Sequence, residues 1–212
     1  PLGTGSQWME SPLVCDLLPI TSNHKPLQFF GWNWQRVTTQ YHSRKCINTG
    51  TKFMRSHAGL LIVSLGSAVV SDSQFTGPAA EGVTGVGSSI TINESLFQDS
   101  LGIGIRGMRK SYISARNSYF STIRVSGVAE DGSTLVLNEC GINGSIIGLA
   151  AYKNNPGYTP AVIIADNFVD ITNTATPYLF ETGSIIDLDG LDIPAPRTEL
   201  YPMIKEITGI SA

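Results

Sequence analysis

Short runs of alternating apolar and polar residues return along this chain at a nearly constant interval. Ala68-Val69-Val70-Ser71-Asp72-Ser73-Gln74-Phe75 aligns with Ile90-Thr91-Ile92-Asn93-Glu94-Ser95-Leu96-Phe97. Ile113-Ser114-Ala115-Arg116-Asn117-Ser118-Tyr119-Phe120 and Leu135-Val136-Leu137-Asn138-Glu139-Cys140-Gly141-Ile142 continue the series. Two apolar columns separated by one variable position give the period of two that marks a half-buried strand. A polar pair rich in Asn, Asp and Glu follows, and such residues favour turns. A small residue and a large apolar one then close each unit. Phe53, Phe75, Phe97, Phe120 and Ile142 lie 22, 22, 23 and 22 positions apart, preceded at two positions by Thr51, Ser73, Ser95, Ser118 and Cys140. Fixed spacing with fixed chemistry predicts a stacked solenoid.

A second short strand comes earlier in each unit, as in Gly82–Val86, Gly102–Ile105 and Gly148–Ala151, with the glycines read as supplying unusual backbone angles at corners. A leucine-rich repeat of this length would need an L-x-x-L-x-L-x-x-N pattern, which no unit shows. The expected fold is therefore all-β, a right-handed parallel β-helix with rungs of about 22 residues, the hand following the general rule for parallel crossovers. Backward, Cys46–Phe53 fits one rung. Forward, Val162–Val169 fits with Val169 in the Phe column, 27 positions after Ile142, the extra residues forming an outward loop over Tyr152–Pro160. Ile185–Asp192 makes a degraded last rung, and Pro194, Pro196 and Pro202 end the pattern. Four segments result: 1–6, a scar left by cloning; 7–45, an irregular N-terminal cap; 46–193, the β-helix; and 194–212, a C-terminal cap or linker.

Composition narrows the function classes. A formal charge of −3 leaves no basic footprint for nucleic acid. The longest apolar runs, such as Leu60-Leu61-Ile62-Val63, are too short to span a membrane. Gly102–Ile105, Val128–Ser133 and Ile147–Lys153 resemble the closing rungs of right-handed β-helix regions in secreted bacterial proteins, a type that accompanies spore-coat-H-type or lamin-tail domains. The resemblance covers about Ala58 to Asp170. It implies a secreted or cell-surface setting and a scaffold role, and it brings no catalytic residues.

Candidate chemistry is sparse. Asp72, Glu94, Asn117, Glu139, Asp166 and Asp189 form one column, read first as a solvated turn and secondly as carboxylates that recruit a cation. Asp187, Asp189 and Asp192 are the local candidates for structural calcium. Arg106, Arg109 and Lys110 gather in one rung, read first as a solvated outer face and secondly as a lyase-like basic cluster or an anion site. His24, His42 and His57 precede the clear rungs, so spacing assigns no Ser-His-Asp set. Cys140 replaces Ser in an inward ladder and should be a buried free thiol. Cys46 falls on an inward column, and whether it pairs with Cys15 stays open.

Exposed aromatics are the remaining route to a ligand. Tyr152, Lys153, Asn154, Asn155 and Tyr158 in the outward loop, with Trp32 and Trp34 upstream, are the candidate binding residues. Trp32 and Trp34 equally suit a cap over the first rung. The expected function is a non-enzymatic scaffold or adhesin that recognises a glycan or a surface protein. The alternatives are a polysaccharide lyase or glycoside hydrolase on this fold, and a tailspike-like fibre fragment acting as a trimer.

Overall fold

The computed structural model describes residues 14–17, 43–49, 52–54, 58–63, 66–77, 81–166, 169–188 and 200–209. β1 (Val14–Leu17) comes first. Rungs of three strands follow: β2 (Ser43–Thr49), β3 (Lys52–Met54) and β4 (Ala58–Val63), then β5 (Ser67–Ser71), β6 (Gln74–Thr76) and β7 (Glu81–Val86). Next come β8 (Ser89–Asn93), β9 (Leu96–Gln98) and β10 (Ile103–Met108), then β11 (Tyr112–Arg116), β12 (Tyr119–Ser121) and β13 (Val125–Glu130). β14 (Thr134–Asn138), β15 (Gly141–Asn143) and β16 (Ile147–Tyr152) precede β17 (Val162–Asp166), β18 (Asp170–Thr172) and β19 (Thr176–Phe180). β20 (Ile185–Leu188) and one helix, α1 (Leu200–Thr208), complete the described elements.

Each rung gives one strand to each of three sheets. The first sheet has 8 strands in the order β1-β2-β5-β8-β11-β14-β17-β20. The second holds β3, β6, β9, β12, β15 and β18, and the third β4, β7, β10, β13, β16 and β19. Among the described strands every pairing is parallel except β1 with β2. The chain is a parallel β-helix, and the alternation read from sequence is its inside-outside pattern: in β8, Ile90 and Ile92 are buried while Ser89 and Thr91 are exposed.

Like residues pack on like. The rings of Phe75 and Phe97 stack with centroids 4.6 Å apart, and those of Phe97 and Phe120 at 4.8 Å. That is the spacing of neighbouring strands, so the ring of each rung packs directly on the ring of the next. Beside the rings runs the serine ladder. The Ser73 amide donates to Ser95 Oγ at 3.3 Å, and the Ser95 amide to Ser118 Oγ at 3.2 Å. Each hydroxyl then donates to the carbonyl two residues earlier, Ser95 to Asn93 at 2.8 Å and Ser118 to Arg116 at 2.9 Å. The hydroxyls thus satisfy corner amides that the core would otherwise leave unpaired. Cys140 takes the same place with its Sγ on the Asn138 carbonyl; burial raises its thiol pKa, and it is free. A second ladder, unread from the sequence, links the Ser88 amide to Ser111 Oγ and the Ser111 amide to Ser133 Oγ.

Four expectations need correction. First, Gly82, Gly104 and Gly148 do not have positive φ. They are small because neighbouring strands pass close: a Cβ at Gly104 would lie 2.7 Å from the Ser126 carbonyl oxygen. Secondly, Ile163, not Val162, stands over Leu135, and Ile171, not Val169, stands over Ile142. A slip of one residue reverses the faces, so Val162 and Ile164 point outward while Ile163 and Ala165 are buried. Asp166 therefore opposes Asn138, outside the Glu139 column. Thirdly, the last rung buries Ile186 and Leu188, leaving Ile185 and Asp187 exposed.

Fourthly, residues 200–208 are neither an end cap nor a linker. α1 lies on the outer side of the third sheet, where Leu200 and Ile204 join Ile103, Val125, Val128, Ile147, Ala150, Tyr152 and Leu179 in a second core. Gly209, at φ 69°, ends the helix with its amide on the Lys205 carbonyl. Arg124 donates to the Ile207 carbonyl at 2.7 Å, which holds the helix C-terminus to the solenoid.

Candidate functional site

The polar corner between the first and second sheets is built by backbone geometry. Asp72, Glu94, Asn117 and Glu139 all adopt left-handed φ, between 48° and 52°. A side chain at such a position costs conformational energy, and Asp and Asn tolerate it best. Repetition offsets that cost, because each corner amide bonds to the next rung: Glu94 to the Arg116 carbonyl at 3.0 Å and Asn117 to Asn138 at 3.1 Å. The column read from sequence is therefore a stack of tight corners whose polar side chains are thrown outward.

Next to it runs a shallow groove of about 360 Å³, lined by Asp72, Ser73, Gln74, Glu94, Ser95, Leu96, Asn117 and Tyr119. Ser73 and Ser95 are buried. Gln74, Leu96 and Tyr119 stand opposite one another on β6, β9 and β12. Tyr119 is 44% exposed. Its ring lies across Gly141 on the next strand, where a Cβ would come within 2.5 Å of the ring. Gly141 thus lets the ring lie over the sheet. Farther along the corner, Glu139 accepts from Arg116 Nε at 3.3 Å in an exposed pair. The groove offers an aromatic ring, one aliphatic side chain, two amides and two carboxylates. Its formal charge is negative.

The outward loop is different from the expected recognition surface. Tyr152 is fully buried, donating its hydroxyl to Glu130 Oε2 at 3.1 Å. It sits in the core under α1, so it is not a surface aromatic. Lys153 and Asn154 are half-buried, Asn155 is exposed and Tyr158 is half-buried. The loop is fastened from below. Asp131 Oδ1 accepts the amides of Asn154 at 2.9 Å and Asn155 at 2.8 Å, and Glu181 Oε2 accepts that of Lys153 at 2.8 Å. Trp32 and Trp34 lie outside the described residues.

The basic cluster also comes apart. Arg109 and Lys110 are exposed, but Arg106 is only 4% exposed and sits between two carboxylates. Its Nη1 reaches Glu81 Oε1 at 2.7 Å, while Nη2 and Nε reach Glu130 Oε2 at 2.7 and 3.1 Å. Thr84 donates to the other oxygen of Glu81. Burial works against the guanidinium charge, but Tyr152, Glu81 and Glu130 outweigh it and hold its pKa above the ordinary arginine value. The network joins β7, β10, β13 and β16 across successive rungs. Glu130 Oε1 is buried with no hydrogen-bond partner. Arg106 stands beside Val128 of the next rung, and the two carboxylates that enclose it account for its charge being buried.

Asp187 is exposed, and Asp189 and Asp192 lie outside the described residues. Among the described residues no group of three His, Cys, Asp or Glu side chains could hold a metal ion. No described helix is long and apolar enough to cross a membrane. Comparison with family models, with curated proteins and with solved structures gives no match.

Proposed function

We propose that this chain is a rigid, non-catalytic binding module whose corner groove takes an uncharged or cationic glycan. The carrying observation is the exposed Tyr119 ring laid over Gly141 beside Gln74, Leu96, Asn117, Asp72 and Glu94. Sugar rings present C–H faces to aromatic rings and hydroxyls to amides and carboxylates, and this groove offers each partner. The two carboxylates disfavour uronate or sulfated chains through like charge. Successive rungs repeat the polar corner along the solenoid axis, which suits a linear polymer over a single small molecule.

The non-catalytic reading draws on the carboxylates. Acid–base cleavage of a glycosidic bond requires a pair of carboxyl groups facing the substrate. Asp72 and Glu94, the groove's own carboxylates, stack in one corner column on the same side of the ligand path, and no other acid is among the described residues that line the groove. Glu81 and Glu130 of the third sheet have Arg106 between them. Their role is to hold rungs together.

Tyr119→Ala is the direct test. The affinity for the best neutral oligosaccharide on a glycan array should weaken about tenfold, a change of about 1.4 kcal/mol. The melting temperature should hardly move, because the ring is partly exposed. Unchanged binding rejects the groove, selective capture of a protein ligand points to the surface-partner reading, and turnover of any polysaccharide restores the enzyme reading.

A further inference from the structure

We infer that Cys15 and Cys46 form a disulfide that clasps β1 onto the N-terminal edge of the first sheet. The register places Cys15 directly opposite Cys46 in the antiparallel β1–β2 pair. Directly opposed residues of such a pair have Cα atoms about 4.5–5.5 Å apart and share one face of the sheet. A disulfide spans Cα separations of about 4.4–6.8 Å. The two backbones thus already stand at bridging distance.

Three further observations converge on this pair. β1 is the antiparallel strand in a stack whose other described pairings are parallel, and it covers the edge that β2 would otherwise leave open. Unpaired edges recruit other chains, so a covering strand is useful only while it stays in place. β1 is 4 residues long, and about 30 residues separate the two cysteines, so a covalent link here would close a long loop whose closure costs entropy. The third cysteine is no competitor: Cys140 is buried with its Sγ on the Ala115 and Asn138 carbonyls. On its other side Cys46 stands over Ala68, which leaves Cys15 as its thiol neighbour in the register.

The oxidant is a small-molecule disulfide of the glutathione class. The thiolate of Cys15 attacks one of its sulfurs, forming a mixed disulfide and releasing one glutathione thiolate. The Cys46 thiolate then attacks the Cys15 sulfur, forming the Cys15–Cys46 bond and releasing the second glutathione. Two electrons pass to the small disulfide, and the two cysteine protons end on the two released thiols.

The test equilibrates the intact chain with oxidised and reduced glutathione, unfolds it, alkylates free thiols and digests without reduction. The expected result is one free thiol per chain, at Cys140, and a linked pair of peptides carrying Cys15 and Cys46. Dithiothreitol should restore three thiols and lower the melting temperature of the wild-type chain. It should leave the melting temperature of the Cys15→Ser, Cys46→Ser double variant unchanged. Three free thiols in the oxidising buffer, a link that involves Cys140, or a link between two chains overturns the inference. A linked chain whose melting temperature ignores the reductant overturns the clasp.

Discussion

Replacing Arg106 with Met should lower the unfolding free energy by about 3–5 kcal/mol, the cost of stripping a buried ion pair of one partner. Arg106 is the cation between Glu81 and Glu130, and Glu130 is wholly buried with one oxygen already unpartnered. Without the guanidinium, the Glu130 carboxylate would keep only the Tyr152 hydroxyl that reaches it at 3.1 Å. The chain must then hold an uncompensated charge or protonate it. Removing all three charged groups together is a different experiment. A variant with Arg106→Met, Glu81→Gln and Glu130→Met leaves no orphan charge and should recover most of the loss, since an apolar replacement of a buried ion pair is often neutral. Urea melts followed by far-ultraviolet circular dichroism read both. A single-variant loss below about 1 kcal/mol would show that water or another group already serves Glu130.

Phe97→Ala carries the other large effect, about 3–5 kcal/mol. Phe97 is the middle ring of the stack, in contact with Phe75 on one side and Phe120 on the other. Truncation leaves a void between two rings that the strand spacing keeps apart, so the site has little room to collapse. Amide hydrogen exchange should then show protection lost first in the flanking rungs, because each repeat leans on its neighbours. A loss near that of an exposed residue such as Tyr112 would contradict the inward register.

The parts of this fold that repeat were legible in the sequence; the parts that deviate once were not. The Phe column and the serine ladder announce themselves because identical side chains must meet every rung. The β17 register is not legible because the Tyr152–Pro160 insertion precedes it, and residue spacing across an insertion carries no information about which face Val162 takes. Tyr152 and Arg106 were misread for a shared reason: both stand on the outer face of the third sheet, which is solvated in a bare solenoid. Here α1 covers Tyr152, and two carboxylates enclose Arg106. The sign of that helix was present, with Leu200, Met203, Ile204 and Ile207 at helical spacing and Gly209 just after, but its docking place is a tertiary fact. The groove was half legible. The acidic column was read correctly from Asp72 to Glu139, while Tyr119 passed unnoticed because its role depends on Gly141 in the following rung.

Amide chemical-shift mapping of glycan binding tests the central claim most directly. The labelled chain is titrated with the neutral oligosaccharide that a glycan array ranks first. The account predicts shifts concentrated at Gln74, Glu94, Leu96, Asn117 and Tyr119, with the 153–160 loop and the third sheet unmoved. Shifts centred on Asn155 and Tyr158, or an array on which only uronate-bearing glycans bind, would contradict it.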